Sequence, residues 1–350
     1  MTNLMWTLSK TKPEKGLELV QKPIPSFDDD QVLLKVLAAS ICGTDKHIYD
    51  WDEWSEHRLR PPLTVGHEMV GEVVEVGSKV KTIHVGDIVS VETHIVCNAC
   101  ELCRTGNSHI CEHTEIIGVD RDGAFAEYIA MPASNCIVNK QANIDIRNLA
   151  VLEPLGNAIH TISQFDITGK QVAVIGCGPI GLMAVNAAKA LGAARVIALE
   201  IDEYRIKMAY QMGAHVVINP KKENAYERIM EETIEGIDVL LEFSGNKQQI
   251  EESFKFMKMG GKMSMLGIPS KHIEINLADD FIFKGIQMHG VIGRRMYDTW
   301  YKVNGLIQAD VIHFDGLITH EFDMKDFQEA FDLLETGQCG KIVLYPGGKP

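Results

Sequence analysis

The sequence predicts a two-domain α/β protein, one domain β-rich and the other built on a doubly wound parallel sheet. Three observations point there. At 350 residues the chain exceeds what one compact core usually holds. From Val32 to about Val138 the apolar residues fall in short alternating or β-branched runs separated by Gly, Pro and Asp, which is strand patterning. Beyond residue 170 strand-like and helix-like segments alternate, as they do in a parallel sheet covered on both faces.

Taken in order, VLLKVLA, MVGEVVEV and DIVSVE are the clearest strands of the first region. The second region offers QVAVIG (171–176), RVIALE (195–200), HVVIN (215–219), DVLLEFSG (238–245), KMSMLG (262–267) and QMHGVI (287–292). Between the first few lie PIGLMAVNAAKALG and DEYRIKMAYQMG, whose apolar residues recur at helical spacing. After Arg294 a helix is expected over Asp298–Ile307, a strand over Leu317–Phe322, a helix over Lys325–Glu335, and a closing strand KIVLY. No internal repeat or low-complexity linker interrupts this order. The expected division is a β-rich domain of residues 1–157 and 295–350 around a parallel-sheet domain of residues 158–294.

Hydrophobic content of 45% with 23% charged residues suits a globular enzyme. A net charge of -14 argues against nucleic-acid or anionic-membrane partners, because there is no cationic excess to displace phosphate counterions. The N-terminal stretch has the features of neither a signal nor a transit peptide, and no segment reaches the about 20 apolar residues of a membrane span. Four of the eight cysteines crowd between Cys97 and Cys111. In a long chain that clustering favours metal over cystine, so a cytoplasmic location is expected.

Gly176-Cys-Gly178-Pro-Ile180-Gly181 follows an expected strand and opens an expected helix. In that context the glycines allow a tight turn, close approach of backbone to pyrophosphate, and close helix–strand packing. Glu200 ends the next strand, where a carboxylate can accept the adenosine ribose hydroxyls and repel a 2′-phosphate, so NAD is favoured over NADP. Arg205 tempers that preference, since a guanidinium there can face the ribose or adenine, or pair with a phosphate. Cys177 reads as a small filler inside the loop.

Cys97, Cys100, Cys103 and Cys111 supply four thiolates at the short spacing a closed tetrahedral zinc site wants. An iron–sulfur cluster is the rival, but its bacterial motif carries Pro after the last cysteine, and here Glu112 follows. A second set is dispersed: Cys42 in SICGTDKH, His67 and Glu68 in VGHEMVGEV, and Glu153 in LEPLGNA. Such a mixed thiolate, imidazole and carboxylate set leaves room for water or substrate, which distinguishes a working zinc from a bracing one.

The order of these motifs over essentially the whole chain resembles the zinc-containing medium-chain alcohol dehydrogenases. SICGTDKHIYDWDEWSEHRLRPP, SVETHIVCNAC and GRRMYDTWY are similar to the branch of that family that acts on L-threonine. The resemblance implies a GroES-like catalytic domain and zinc ligation by Cys42, His67 and Glu68. Glu153 would be a further ligand or a proton-relay aid. Thr44 and His47 match relay positions, and His94 falls in the substrate-side loop. Ile180, Glu200, Arg205, Leu266, Gly267, Ile268, Val291 and Ile292 match positions lining NAD, although VIG at 291–293 departs from relatives with a polar residue or Tyr in the middle. It also implies two zinc ions per subunit, one catalytic and one structural, and a homotetramer.

The reaction so implied is oxidation of the secondary alcohol of L-threonine to 2-amino-3-oxobutanoate, the proton passing to Thr44 and His47 and the hydride to the nicotinamide. A polyol or 2,3-butanediol is the alternative substrate. An amino-acid substrate calls for a cation at its carboxylate, expected from Arg294 or Arg295, and an acceptor at its ammonium, expected from Asp52, Glu53 or His94. A zinc-braced binding module with a redox-sensing nucleotide domain would not need the second, open metal set. A zinc-free reductase would lack both sets.

Overall fold

The computed structural model describes residues 3–140 and 144–349. The described chain opens with β1 (Leu4–Lys10), β2 (Glu18–Pro23) and β3 (Gln31–Ser40), then α1 (Gly43–Asp50) and α2 (Glu53–Arg58). β4 (Leu63–Thr64), β5 (Glu68–Val76), β6 (Ile88–Val91) and the short β7 (His94–Ile95) follow. After α3 (Glu101–Arg104) come β8 (Glu115–Ile116), β9 (Tyr128–Pro132), β10 (Cys136–Val138), α4 (Ile146–Leu149) and α5 (Leu152–Ile162).

Strand and helix then alternate: β11 (Gln171–Ile175), α6 (Pro179–Ala190), β12 (Arg195–Leu199), α7 (Glu203–Gln211), β13 (Val216–Ile218), α8 (Ala225–Glu232), β14 (Ile237–Glu242), α9 (Lys247–Phe256), β15 (Met257–Met265) and β16 (Gln287–Gly290). The chain ends with α10 (Asp298–Gln308), β17 (Ile318–Asp323), α11 (Phe327–Thr336) and β18 (Lys341–Tyr345). Two compact units result, one of the described residues up to Glu153 together with those from Ile318 onward, the other of Pro154–Leu317. The contact pattern thus places the return to the first unit at Ile318, where 295 was expected, and keeps α10 with the second unit.

In the first unit β3 lies inside a seven-stranded sheet of order β10-β6-β5-β3-β18-β17, with β9 also paired to β3. The side chains of both faces of β3 are buried along most of its length, which is why VLLKVLA reads as a nearly continuous apolar run. The C-terminal strand β18 is entirely buried and joins β3 antiparallel through Val343 and Leu344. Phe125, Phe331, Leu34 and Ile48 anchor this unit's core.

In the second unit six parallel strands run in the order β13-β12-β11-β14-β15-β16. The order reverses between β11 and β14, the switch point at which doubly wound sheets bind dinucleotides. Ala173, Ile197, Leu240, Phe254 and Met263 lie in its core. By contrast, all four residues of β16 are exposed, as befits an edge strand.

Candidate functional site

The first unit gathers the dispersed motif residues at the start of α1 and of β5. α1 buries Asp45, Ile48 and Tyr49, and Tyr49 stacks on Phe331 with ring centroids 4.7 Å apart. Helical spacing then puts Thr44 and His47, three residues apart, on one common face. Cys42 precedes the helix with extended backbone, and its N–H donates to Asp45 Oδ2 at 2.8 Å. Its Sγ lies 3.9 Å from Thr44 Oγ1. Gly66, at φ 87°, delivers His67 and Glu68 into β5; a Cβ there would collide with the Phe125 ring, so only glycine fits this turn.

Ligand atoms of Cys42, His67 and Glu68 lie within 4.8 Å of one another. Glu68 is fully buried. Its Oε2 accepts from Ser40 Oγ and Lys341 Nζ, while Oε1 is buried without a hydrogen-bond partner. A buried carboxylate oxygen left bare is costly unless a cation meets it. Negative charge dominates the cluster. Burial lowers the His67 pKa, but Asp45, Cys42 and Glu153 outweigh it and push it up to about 10. A divalent ion seated here would meet the same field, and thiolate, imidazole and carboxylate are zinc's usual donors. The residues therefore fit zinc.

Asp45 Oδ1 stands 3.7 Å from His67 Nδ1, the position of the outer carboxylate that orients a metal-bound imidazole. Burial pushes the Asp45 carboxyl above its ordinary range. Burial lowers the Lys341 ammonium, but Glu68 and Cys42 outweigh it, so Lys341 stays charged against Glu68. Asp45, Lys341 and Ser40 escaped the sequence reading. Only Asp45 left a signal, as an acidic residue three positions after the helix-capping Cys42.

Glu153 is buried in the first turn of α5 and accepts from Thr93 Oγ1 at 3.4 Å. Its charge reaches His67 and Lys341, but it lies outside the close trio of ligand atoms. His94 lies buried in β7; its N–H donates to Glu92 Oε1 at 2.9 Å, and its carbonyl accepts from Asn135 at 2.9 Å. His47 is exposed and its Nδ1 lies 2.6 Å from Asp52 Oδ2. Asp52, expected as a candidate for a substrate ammonium, is thus engaged within the protein. Glu53 is exposed.

The four-cysteine lobe is equally telling. A zinc–thiolate tetrahedron with bonds of about 2.3 Å has edges of about 3.8 Å. Cys100 and Cys111 Sγ are 3.8 Å apart, Cys97 and Cys111 Sγ 3.5 Å, and all four sulfurs lie within 4.8 Å. None of these four cysteines forms a disulfide. Backbone N–H groups of Ala99 and Cys100 pull Cys97 down to about 6, whereas desolvation and the thiols of Cys100 and Cys111 push Cys103 up to about 12. One shared metal would stabilise all four as thiolates.

In the second unit the glycine loop joins β11 to α6. Gly176 has φ 85°, and a Cβ at Gly181 would collide with the Gly176 carbonyl oxygen, so helix and loop touch only because neither carries a side chain. Gly178 caps α6, with Pro179 in its first turn and Ile180 partly exposed beside it. That leaves early helix N–H groups for a phosphate. Glu200 Oε2 accepts from Cys177 N–H at 2.8 Å, and Oε1 from Ile201 and Asp202 N–H at 2.7 and 3.0 Å. Arg205 Nε is buried without a partner.

The Leu266–Ile268 segment is held by Glu242, whose carbonyl accepts from Leu266 and Gly267 N–H at 2.9 and 3.1 Å. Val291 N–H donates to Met265 carbonyl at 2.8 Å. These bonds leave Ile268 and Ile292 strongly exposed at the carboxyl ends of the strands, where an aromatic ring would cover them. Arg294, by contrast, is 1% exposed; its Nη1 donates to Asn157 Oδ1 at 3.2 Å and its stem would block any Cβ at Gly156. Of the two arginines expected at a substrate carboxylate, Arg295 is the exposed one.

Residues 28–141 match the alcohol dehydrogenase GroES-like domain and residues 179–309 the zinc-binding dehydrogenase family. The chain is 50% identical to the L-threonine 3-dehydrogenase of Caldanaerobacter subterraneus subsp. tengcongensis, over 99% of this chain and 100% of that one. Among solved structures, an alcohol dehydrogenase of Escherichia coli CFT073 complexed with NADH superposes with a TM-score of 0.91 at 25% identity, covering 98% of this chain and 99% of that one. The 2R,3R-butanediol dehydrogenase of Bacillus subtilis superposes with a TM-score of 0.88 at 27% identity, covering 98% and 100%.

Proposed function

The chain belongs to the zinc-binding alcohol dehydrogenases, and from that premise we propose that it oxidises the secondary alcohol of L-threonine to 2-amino-3-oxobutanoate with NAD as hydride acceptor. The observation that carries the chemistry is the trio of Cys42, His67 and Glu68, with one buried carboxylate oxygen left bare. The substrate rests on 50% identity along the full length to an enzyme of that specificity.

Zinc held by Cys42, His67 and Glu68 would supply the Lewis acidity that makes the substrate hydroxyl a stronger acid. NAD would supply the hydride acceptor. The Thr44 hydroxyl, near Cys42 Sγ, takes up the alcohol proton, and His47 on the same helix face delivers it to solvent. Glu153 adds negative charge beside His67. Gly176, Gly178 and Gly181 admit the pyrophosphate, and the Glu200 carboxylate repels the 2′-phosphate of NADP.

A second zinc in the cysteine lobe, making two per chain, is supported by the sulfur spacing. A homotetramer is supported by the exposed edge strand β16 and by the exposed Leu277, Ile282 and Phe283 near it in sequence, because an unpaired sheet edge is a template for another chain. Cysteines without disulfides suit a reducing, cytoplasmic setting. Among the described residues no helix is long and apolar enough to cross a membrane.

The test is NADH formation with L-threonine, sorbitol and 2,3-butanediol before and after chelation. Chelator-sensitive turnover preferring L-threonine is the expected result. Preference for a diol, the reading favoured by the butanediol dehydrogenase fold match, would retain the mechanism and replace the substrate. Absence of turnover with all three by zinc-replete protein would overturn the substrate class.

A further inference from the structure

The chain between α1 and α2 turns back on His47. Trp51 adopts a left-handed conformation, φ 56° and ψ 53°, and its N–H returns to the His47 carbonyl. Asp52 N–H reaches the same carbonyl at 3.5 Å. Asp52 then caps α2: its Oδ1 accepts from Ser55 N–H at 3.0 Å, and Ser55 is fully buried. One oxygen is thereby fixed by a helix N-terminus. The other, Oδ2, is left 2.6 Å from His47 Nδ1.

Burial alone would push the Asp52 carboxyl up, but the Ser55 N–H and His47 hydrogen bonds outweigh it and hold the group below its ordinary range. Ionised, it can only accept hydrogen bonds, so the proton on the shared bond must sit on His47 Nδ1. The neighbouring cations are otherwise engaged. Lys46 pairs with Asp50, Lys15 lies 3.7 Å from Asp50, and Arg58 lies 2.6 Å from Asp120. His57 Nδ1 lies 2.6 Å from the Glu53 carbonyl. The Trp54 ring stands edge-on to the imidazole, centroids 6.3 Å apart.

We propose that Asp52 is a positioning residue for the proton relay, holding His47 in the Nδ1–H tautomer so that Nε2 is the atom that takes up and releases the proton. This rests on the dehydrogenase reading above, in which His47 carries the alcohol proton outward. The carboxylate fixes ring orientation and tautomer, as a buried acid does for a catalytic histidine elsewhere.

The experiment pairs a spectroscopic readout with kinetics on zinc-loaded full-length protein. Histidine-selective ¹⁵N NMR, with the His47 signals identified by their loss in H47N, reports the tautomer directly. The expected result is Nδ1–H in the unsubstituted protein and a mixed or Nε2–H population in D52A, whereas D52N, which retains a capping side chain, preserves the fold. Turnover of L-threonine by D52N should fall about tenfold to a hundredfold in kcat with KM little changed, and D52N should cost almost nothing further in an H47N background. An Nε2–H tautomer in the unsubstituted protein, or equal losses from D52N in both backgrounds, would overturn the proposal. A rise in KM for L-threonine alone, with the tautomer unmoved, would overturn it in favour of an ammonium-binding role. Because the NMR result does not depend on the substrate, an Nδ1–H tautomer in protein inactive on L-threonine would uphold the tautomer assignment and point to failure of the substrate reading instead.

Discussion

Lys341 shows how much a single side chain decides here. It is 2% exposed, and its ammonium lies against Glu68 and donates to the Ile41 carbonyl at 3.1 Å. Removing one member of a buried ion pair typically costs about 3–5 kcal/mol, because the other charge stays behind uncompensated. Lys341→Met should therefore lower the melting temperature of the chelated protein by roughly ten degrees or more. Zinc should recover part of that loss by neutralising Glu68 from its other side. Calorimetry of chelated and zinc-loaded protein checks this, and a variant as stable as the parent in both states would show that the pair does not matter.

The element that closes the first unit is the parallel pair of β17 and β18, and it carries a small charged network. Glu321 on β17 accepts from Tyr345 on β18 at 2.5 Å and from Arg147 in α4 at 3.0 Å. The Tyr345 hydrogen bond, with help from Arg147 and against a smaller effect of burial, holds the Glu321 carboxyl below its ordinary range. A carboxylate whose folded pKa is depressed contributes stability that is present above its unfolded value and lost as pH falls through the folded one. Glu321→Gln should thus cost about 1 kcal/mol near neutrality. The difference from the parent should shrink as pH drops below about 4. Melting curves across that window would refute this if the gap were independent of pH.

At the scale of the molecule, the two groups of residues that could hold a metal occupy different parts of the first unit. The cysteine lobe closes on its own sulfurs, whereas the Cys42 trio presents an open carboxylate. Zinc content should be two ions per chain in the native protein and about one in Cys103→Ser, which loses one lobe ligand. That variant should retain NADH binding, since the nucleotide loop belongs to the other unit. Metal analysis and NADH fluorescence titration decide it. Loss of both ions together would mean that the lobe is required to form the second site.

Much of this was legible in sequence because the signals are local. The glycine loop, the four-cysteine run and the strand–helix alternation each lie in one short stretch, and backbone sterics or ligand spacing dictate what such stretches can form. The departures have a common cause. Which polar group meets which cation depends on elements far apart in the chain, so Lys341 beside Glu68 and Arg294 against Asn157 are products of tertiary packing and burial. In sequence Asp52 is one of three candidate acceptors for a substrate ammonium, with Glu53 and His94. Only the left-handed turn at Trp51 and the cap of α2 bring its second oxygen onto His47. Sequence by itself determined the chemistry available to this protein, since ligand types and loop glycines are set residue by residue. Tertiary structure decided which charges are left unpaired for a metal and which are consumed in holding the site in shape, because burial makes every unpartnered charge too costly to leave to chance.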